Sequence, residues 1–172
     1  GAFSVATANT VFHQVCTPST NGATVTVAVA AEKGTDAAGN NNAAATDFTF
    51  TYDTTAPTVT ITSNDVNTGG SHNGAATITF TFSEEMTGIA DGDFSFTNCA
   101  ASSFTVATAN TVFTQVCTPD TPGETITIAV GANKGTDPAG NNNAAATDFT
   151  FTYETTAPTV SSIAVTGVTS GQ

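Results

Sequence analysis

Asp-Thr-Thr-Ala-Pro-Thr, the sequence of residues 53–58, lies between two runs in which polar and apolar residues alternate. The run Phe-Thr-Phe-Thr-Tyr at residues 48–52 precedes it, and Val-Thr-Ile at residues 59–61 follows it. The proline excludes a helix here and favours an extended backbone in the residue before it. Because a carboxylate, threonines and a proline cannot build a core, we predict that this stretch is a stiff joint between consecutive β domains.

The same stretch returns 101 residues later, at residues 154–159, with glutamate in place of the aspartate. This offset holds without a gap between residues 3–59 and 104–160, and all but 11 of the 57 positions are identical. A period of about 100 residues is the size of an immunoglobulin-type β-sandwich. The repeat therefore predicts the C-terminal half of one domain (1–52), a complete domain (53–153) and the start of a third (154–172).

Period-two alternation is clear throughout the predicted complete domain. Ile78, Phe80 and Phe82 alternate with threonines, and short runs of the same kind recur up to residue 153. Alternation of this kind is typical of strands with one buried face, and no helical period competes with it. We predict an all-β fold made of tandem immunoglobulin-like β-sandwich domains with about seven strands each.

The charge balance excludes several classes of partner. The chain has 2 basic residues against 14 acidic ones, a formal net charge of −12. Phosphate binding needs clustered lysine and arginine, so nucleic acid and anionic membrane surfaces are not expected partners. No apolar run is long enough for a membrane span, so membrane insertion is not expected either.

The three cysteines follow the repeat. Cys16 and Cys117 are equivalent positions, and the position equivalent to Cys99 falls just before residue 1. We predict a disulfide between Cys99 and Cys117, which would stabilise the domain by about 3 kcal/mol; the alternative is two separate small core residues. Because Cys99 is out of phase with Phe94 and Phe96, the third strand must end or bulge before it. A disulfide implies an oxidising, extracellular setting.

Acidic residues concentrate in segments that the predicted topology brings to one pole of the sandwich. If the strands run alternately up and down, the joint, the loop 83–93 and the loop 134–146 meet there. These segments contain Asp53, Glu84, Glu85, Asp91, Asp93 and Asp137. Carboxylates brought close together repel unless a cation intervenes, and ligand sets made only of oxygen select a hard ion such as Ca²⁺. The alternative is that these are solvated loop charges and that Asp137 only shapes its own turn.

Four stretches resemble the bacterial Ig-like repeats of large surface adhesins and biofilm-associated proteins. They are residues 53–63, Phe-Ser-Glu-Glu-Met-Thr-Gly at 82–88, Asp-Gly-Asp-Phe at 91–94 and Thr-Asp-Pro-Ala-Gly-Asn at 136–141. The resemblance implies sandwiches strung end to end as stalks, often with Ca²⁺ at the joints. It points to Asp53, Glu84, Asp91 and Asp137 as ligands, and we add Asp93 from the same acidic loop. The cysteine pair departs from the family pattern.

The predicted function is mechanical and not enzymatic. We expect a structural extender of a secreted, adhesin-like cell-surface protein, with neighbouring repeats as partners and calcium at the joints. One alternative is a segment of an extracellular filament that forms by self-association. Another is a carbohydrate- or protein-binding module, which the phenylalanines disfavour because they occupy alternating core positions.

Overall fold

Strands make up nearly all the regular structure of this protein. The computed structural model describes residues 3–7, 10–164 and 166–167. A single turn of 3₁₀ helix, at Asp91–Asp93, is the one helical element of this part of the chain. The strands in chain order are β1 (Phe3–Thr7), β2 (Val11–Gln14), β3 (Thr24–Val27), β4 (Phe48–Thr51), β5 (Val59–Ser63), β6 (Ser71–His72), β7 (Ala76–Phe82), β8 (Phe94–Thr97), β9 (Cys99–Ala101), β10 (Thr105–Thr108), β11 (Val112–Pro119), β12 (Thr125–Val130) and β13 (Phe149–Tyr153).

Strands β5 to β13 form two sheets that face each other. One sheet has the order β10-β11-β7-β5, and β9 also pairs with β11. The second sheet has the order β6-β13-β12-β8. All pairs are antiparallel except β13 with β6, which is parallel. The all-β sandwich predicted from the sequence is confirmed, and the short strands β6 and β9 add to the seven that were expected.

Alternation along the strands produces the core. In β7 the side chains of Ile78, Phe80 and Phe82 are buried, whereas the threonines between them are exposed or half-buried. From the facing sheet Phe94 meets Phe80, with ring centroids 4.2 Å apart. Burying a side chain of this size stabilises the fold by about 1.5–3 kcal/mol.

The chain crosses between the two sheets at Asn98. Strand β8 pairs with β12 in one sheet and β9 pairs with β11 in the other. Asn98 has a φ of 62°, and its side-chain amide donates a 2.9 Å hydrogen bond to the Thr125 carbonyl. This crossing explains why Cys99 is out of phase with Phe94 and Phe96. The strand of Phe94 ends before Cys99, as predicted. The predicted Cys99–Cys117 disulfide is also confirmed, with the two Cα atoms 5.7 Å apart.

Strands β1 to β4 form two two-stranded antiparallel sheets, β1 with β2 and β3 with β4. Their registers match those of β10–β11 and β12–β13 at the offset of 101 residues, including the bulge within the first pair. For example, Val27 lies opposite Phe48, as Ile128 lies opposite Phe149. The division of the chain into half, whole and starting repeats stays a prediction.

Candidate cation site at the joint

Three of the predicted ligands come together at one pole of the sandwich. Asp53 follows β4, Glu84 lies in the loop after β7, and Asp137 lies in the loop between β12 and β13. One carboxylate oxygen of each lies within 4.8 Å of those of the other two. It is the one such group of three or more potential metal ligands in the part of the chain that the structure describes. The antiparallel strand order brings these three carboxylates together, because β5 begins at the pole where β7 and β12 end.

The joint is fixed to this pole by main-chain contacts. Pro57 is buried, and its carbonyl accepts a 2.8 Å hydrogen bond from the Ala144 N–H. The carbonyl of the next residue, Thr58, accepts a 2.9 Å hydrogen bond from the Ser83 N–H. The Thr58 N–H in turn donates a 3.0 Å hydrogen bond to the Ser83 hydroxyl. The Asn141 side-chain amide reaches the Asp53 carbonyl at 3.2 Å. Asp53 is thereby held beside the other two carboxylates.

The joint is also held from its other side, by Asn21 in the turn that precedes β3. The side-chain oxygen of Asn21 accepts the Thr54 N–H at 2.7 Å, and its amide donates to the Thr55 hydroxyl at 2.8 Å. Residue 122, the equivalent position one repeat later, is a proline that has no such side chain. The first joint therefore has a clamp that the sequence does not provide for the second.

Asp137 sits in a tightly bonded turn. Its two carboxylate oxygens accept the backbone N–H and the side-chain amide of Asn141, each at 2.8 Å. Asp137 is only 2% exposed. Removal from water raises the pKa of Asp137, but the bonds from Asn141 and from the N–H groups of Gly140 and Ala139 outweigh that effect and hold the pKa below its ordinary value. The carboxylate is therefore ionised and fixed in direction.

Buried Asn143 anchors the rest of this loop. Its side-chain oxygen accepts the N–H groups of Lys134 (2.7 Å) and Gly135 (3.1 Å). Its amide donates to the carbonyls of Gly131 (2.9 Å) and Ala144 (2.8 Å). All four polar sites of the side chain are used, which makes a buried amide stabilising rather than costly.

The carboxyl of Glu84 responds both to burial and to its two acidic neighbours. Partial burial, followed by the charges of Asp137 and Asp53, raises the pKa of Glu84. Lys134 does not neutralise the three, because the partner of its ammonium is Asp93, at 3.9 Å. The site thus offers oxygen ligands and negative charge, which is the chemistry that Ca²⁺ prefers.

The sandwich that carries this cluster matches a known protein family. The family model described as "Bacterial Ig-like domain" matches residues 53–155, which is more than half of the chain. The chain belongs to the bacterial Ig-like domain family. Neither the curated proteins nor the solved structures yielded a match. The resemblance seen in the sequence is confirmed, and the family is one of structural Ig-like modules. Among the described residues, no helix is long and apolar enough to cross a membrane.

Two other residues predicted as ligands lie outside the cluster of this Ig-like domain. Asp91 accepts the Phe104 N–H at 2.6 Å, and the side-chain amide of Gln115 lies 3.4 Å from the same oxygen. Asp93 accepts the Ala90 N–H at 2.8 Å, which closes the 3₁₀ turn. The structure therefore assigns both carboxylates local hydrogen-bonding roles and brings Asp53, Glu84 and Asp137 together.

The asparagines of the Ig-like domain's long loop were not predicted as site-building residues. Asn141 orients both Asp137 and the joint, and Asn143 fixes the loop ends. The signal was present in the sequence, since Asn-Asn-Asn recurs at residues 40–42 and 141–143. Asparagine is favoured where a side chain bonds nearby backbone, so a repeated triplet within a turn sequence indicates such anchoring.

Proposed function

We propose that this chain is a structural extender of a secreted cell-surface protein, and that Ca²⁺ bound by Asp53, Glu84 and Asp137 stiffens the joint. Family membership supports the structural role. The observation that carries the calcium proposal is the meeting of one carboxylate from the joint with two from the sandwich within 4.8 Å.

Calcium suits this site better than smaller or softer ions. Ca²⁺ takes six to eight oxygen ligands in flexible arrangements, whereas Mg²⁺ demands a near-ideal octahedron. The cluster supplies three carboxylates, and two of them, Asp53 and Glu84, are only half-buried. No cysteine or histidine belongs to the group, which disfavours Zn²⁺ and Cu²⁺.

A cation at this position would act mechanically. Asp53 is the first residue of the joint, and Glu84 and Asp137 belong to loops of the sandwich that follows. An ion that ligates all three ties the entry of the chain to the sandwich. The hydrogen bonds around Pro57 and Thr58 already hold the later part of the joint, so the ion would complete the attachment at its beginning.

An extracellular, cell-surface location is part of the same proposal. Disulfides persist in oxidising compartments, and Cys99–Cys117 is such a bond. A net charge of −12 favours solubility and an atmosphere of cations, and disfavours nucleic acid. No catalytic role is proposed, and the expected partners are neighbouring repeats of the same chain.

Calorimetric titration with CaCl₂ tests the site. We expect one site on the wild-type chain, and binding at least about tenfold weaker in Asp53→Asn and Glu84→Gln, because affinity follows the number of charged ligands. Asp36→Asn is the matched control, since Asp36 makes the same turn bonds but is not a member of a carboxylate group among the described residues. Absence of binding heat, or equal affinity in all variants, would refute the calcium proposal.

Assembly into an extracellular filament is a second candidate. It is favoured by large apolar side chains that are exposed between residues 11 and 48, among them Val29 and Phe48. Light scattering over a range of protein concentrations separates the two functions. An extender stays monomeric, whereas a filament subunit gains mass as the concentration rises.

A further inference from the structure

The chain contains two Asn-Gly pairs, and their hydrogen bonding differs. They are Asn21–Gly22 and Asn73–Gly74. In such a pair the main-chain nitrogen of the glycine can attack the side-chain amide of the asparagine, because glycine has no Cβ to hinder the close approach. The attack needs an asparagine side chain and a glycine N–H that are both free to move. Hydrogen bonds therefore decide which of the two pairs reacts in the folded protein.

The first pair is held at both reacting groups. The Asn21 side chain accepts the Thr54 N–H and donates to the Thr55 hydroxyl. The Gly22 N–H donates a 2.7 Å hydrogen bond to the Tyr52 carbonyl. These bonds must open before the Gly22 nitrogen can reach the Asn21 side chain, so the fold protects this pair.

The second pair is free at both reacting groups. It lies in residues 73–75, the connection between β6 and β7, and Asn73 is exposed. Within the described part of the chain, neither the Asn73 side chain nor the Gly74 N–H has a hydrogen-bond partner. The neighbouring His72 does not hold the pair, since its Nε2 donates a 3.2 Å hydrogen bond to the Ala75 carbonyl. The fold leaves this pair unprotected.

We propose that Asn73 is a site of spontaneous deamidation in the folded protein, and that this change loosens the second joint, residues 154–159. The Gly74 nitrogen forms a bond to Cγ of Asn73, the bond from Cγ to Nδ2 breaks, and ammonia leaves with the proton of the Gly74 nitrogen. Water then opens the resulting cyclic imide. Opening at Cγ gives aspartate, and opening at the original peptide carbonyl gives isoaspartate, whose main chain is longer by one carbon. Water is the one reactant consumed, and no electrons are transferred.

The change falls beside a strand of only two residues, β6. The His72 carbonyl accepts the Glu154 N–H, and the Gly70 carbonyl accepts the Thr152 N–H, each at 2.9 Å. These bonds attach β6 to the end of β13 and to the first residue of the second joint. Deamidation places a negative charge one residue away from the contact with Glu154, which is itself acidic, and isoaspartate also lengthens the connection to β7. Both products weaken this attachment.

The second joint depends on this attachment more than the first joint does. Asn21 clamps the first joint through its side chain, and the equivalent position before the second joint is Pro122, which has no such group. The inference goes beyond the extender function and does not depend on calcium.

The test is incubation of the full chain at mildly alkaline pH, followed by peptide mapping that distinguishes asparagine, aspartate and isoaspartate. In the native chain, residue 73 should convert at least about tenfold faster than residue 21, because the bonds at Asn21 and Gly22 must open first. In urea, where neither pair is protected, the two rates should be comparable. Equal rates in the native chain, or no conversion of residue 73, would overturn the proposal.

Gly74→Ala is the matched variant for the reacting nitrogen. A Cβ at Gly74 would have the His72 Nε2 as its nearest neighbour, at the ordinary contact distance of 3.9 Å, so the variant should fold normally. It should lose most of the conversion at residue 73, because the Cβ hinders the attack. Conversion at an unchanged rate would refute attack by the Gly74 nitrogen.

Thr55→Val tests the protection of the first pair. It removes the hydroxyl that accepts the Asn21 amide, so residue 21 should convert faster while residue 73 keeps its rate. An unchanged rate at residue 21 would contradict the role of hydrogen bonds in separating the two pairs.

Hydrogen exchange of the converted chain tests the effect on the joint. The Glu154 and Thr152 amides should exchange several times faster than in the unconverted chain. The Phe82 amide, which donates to the Thr111 carbonyl at the other pole, should not change. Asn73→Asp adds the charge without the longer main chain and should give part of the effect. Unchanged exchange at Glu154 would refute the loosening. Calcium binding is measured separately, so failure here leaves the cation proposal standing and the reverse is also true.

Discussion

The two copies of the repeated sequence pair their strands in the same register but differ in the burial of their apolar residues. Asp36 and Asn40 make the same turn bonds as Asp137 and Asn141. Phe48, in contrast, is largely exposed, whereas the identical residue Phe149 is buried. Nearly the same residues are present in both copies, so the difference comes from the covering strands alone. Turn and register are therefore local properties of this sequence, and the core depends on distant strands.

The largest expected effect is the contrast between two identical phenylalanines. Phe149→Ala should destabilise the chain by about 3–5 kcal/mol, because it opens a cavity in the core. Phe48→Ala should cost less than about 1 kcal/mol, because the side chain is largely in water. Urea unfolding followed by circular dichroism gives both values. Equal losses would mean that Phe48 is covered in solution, and the comparison between the copies would fail.

The two equivalent cysteines give the next contrast. Cys117→Ser removes the disulfide and should cost about 3 kcal/mol, as expected for a loop of this length. Cys16→Ser should leave the unfolding midpoint unchanged, because Cys16 is unbonded and exposed. Thermal unfolding under non-reducing conditions checks both. A large loss for Cys16→Ser would show that this residue has a bonded partner in the isolated chain.

The smallest effect concerns the anchoring asparagines. Asn42 makes the same four contacts as Asn143, but only Asn143 is fully buried. Asn143→Ala should cost about 1–3 kcal/mol, since it leaves buried N–H and carbonyl groups without partners. At Asn42, water replaces the lost bonds, and a change within about 0.5 kcal/mol is expected. Differential scanning calorimetry distinguishes these outcomes; a larger loss at Asn42 would contradict the stated role of burial.

The sequence predicts the local features of this protein well. Alternation locates the long strands, the repeat pairs the cysteines, and the topology places Asp53, Glu84 and Asp137 at one pole. It does not predict β6, because two residues that pair in parallel with the end of β13 leave no periodic signal. The sequence also does not show that Asp91 and Asp93 lie outside the cluster. Their carboxylates accept hydrogen bonds from the N–H groups of Phe104 and Ala90, and residue spacing does not reveal such bonds.

Small-angle X-ray scattering of the full chain, with calcium and then with a chelator, tests the central claim most directly. If an ion at Asp53, Glu84 and Asp137 stiffens the joint, calcium should give a longer maximum dimension and a less flexible scattering profile. Asp53→Asn should remove this response, and Asp36→Asn should retain it. Identical profiles with and without calcium in the wild-type chain would contradict the claim and leave proline and hydrogen bonds as the source of stiffness.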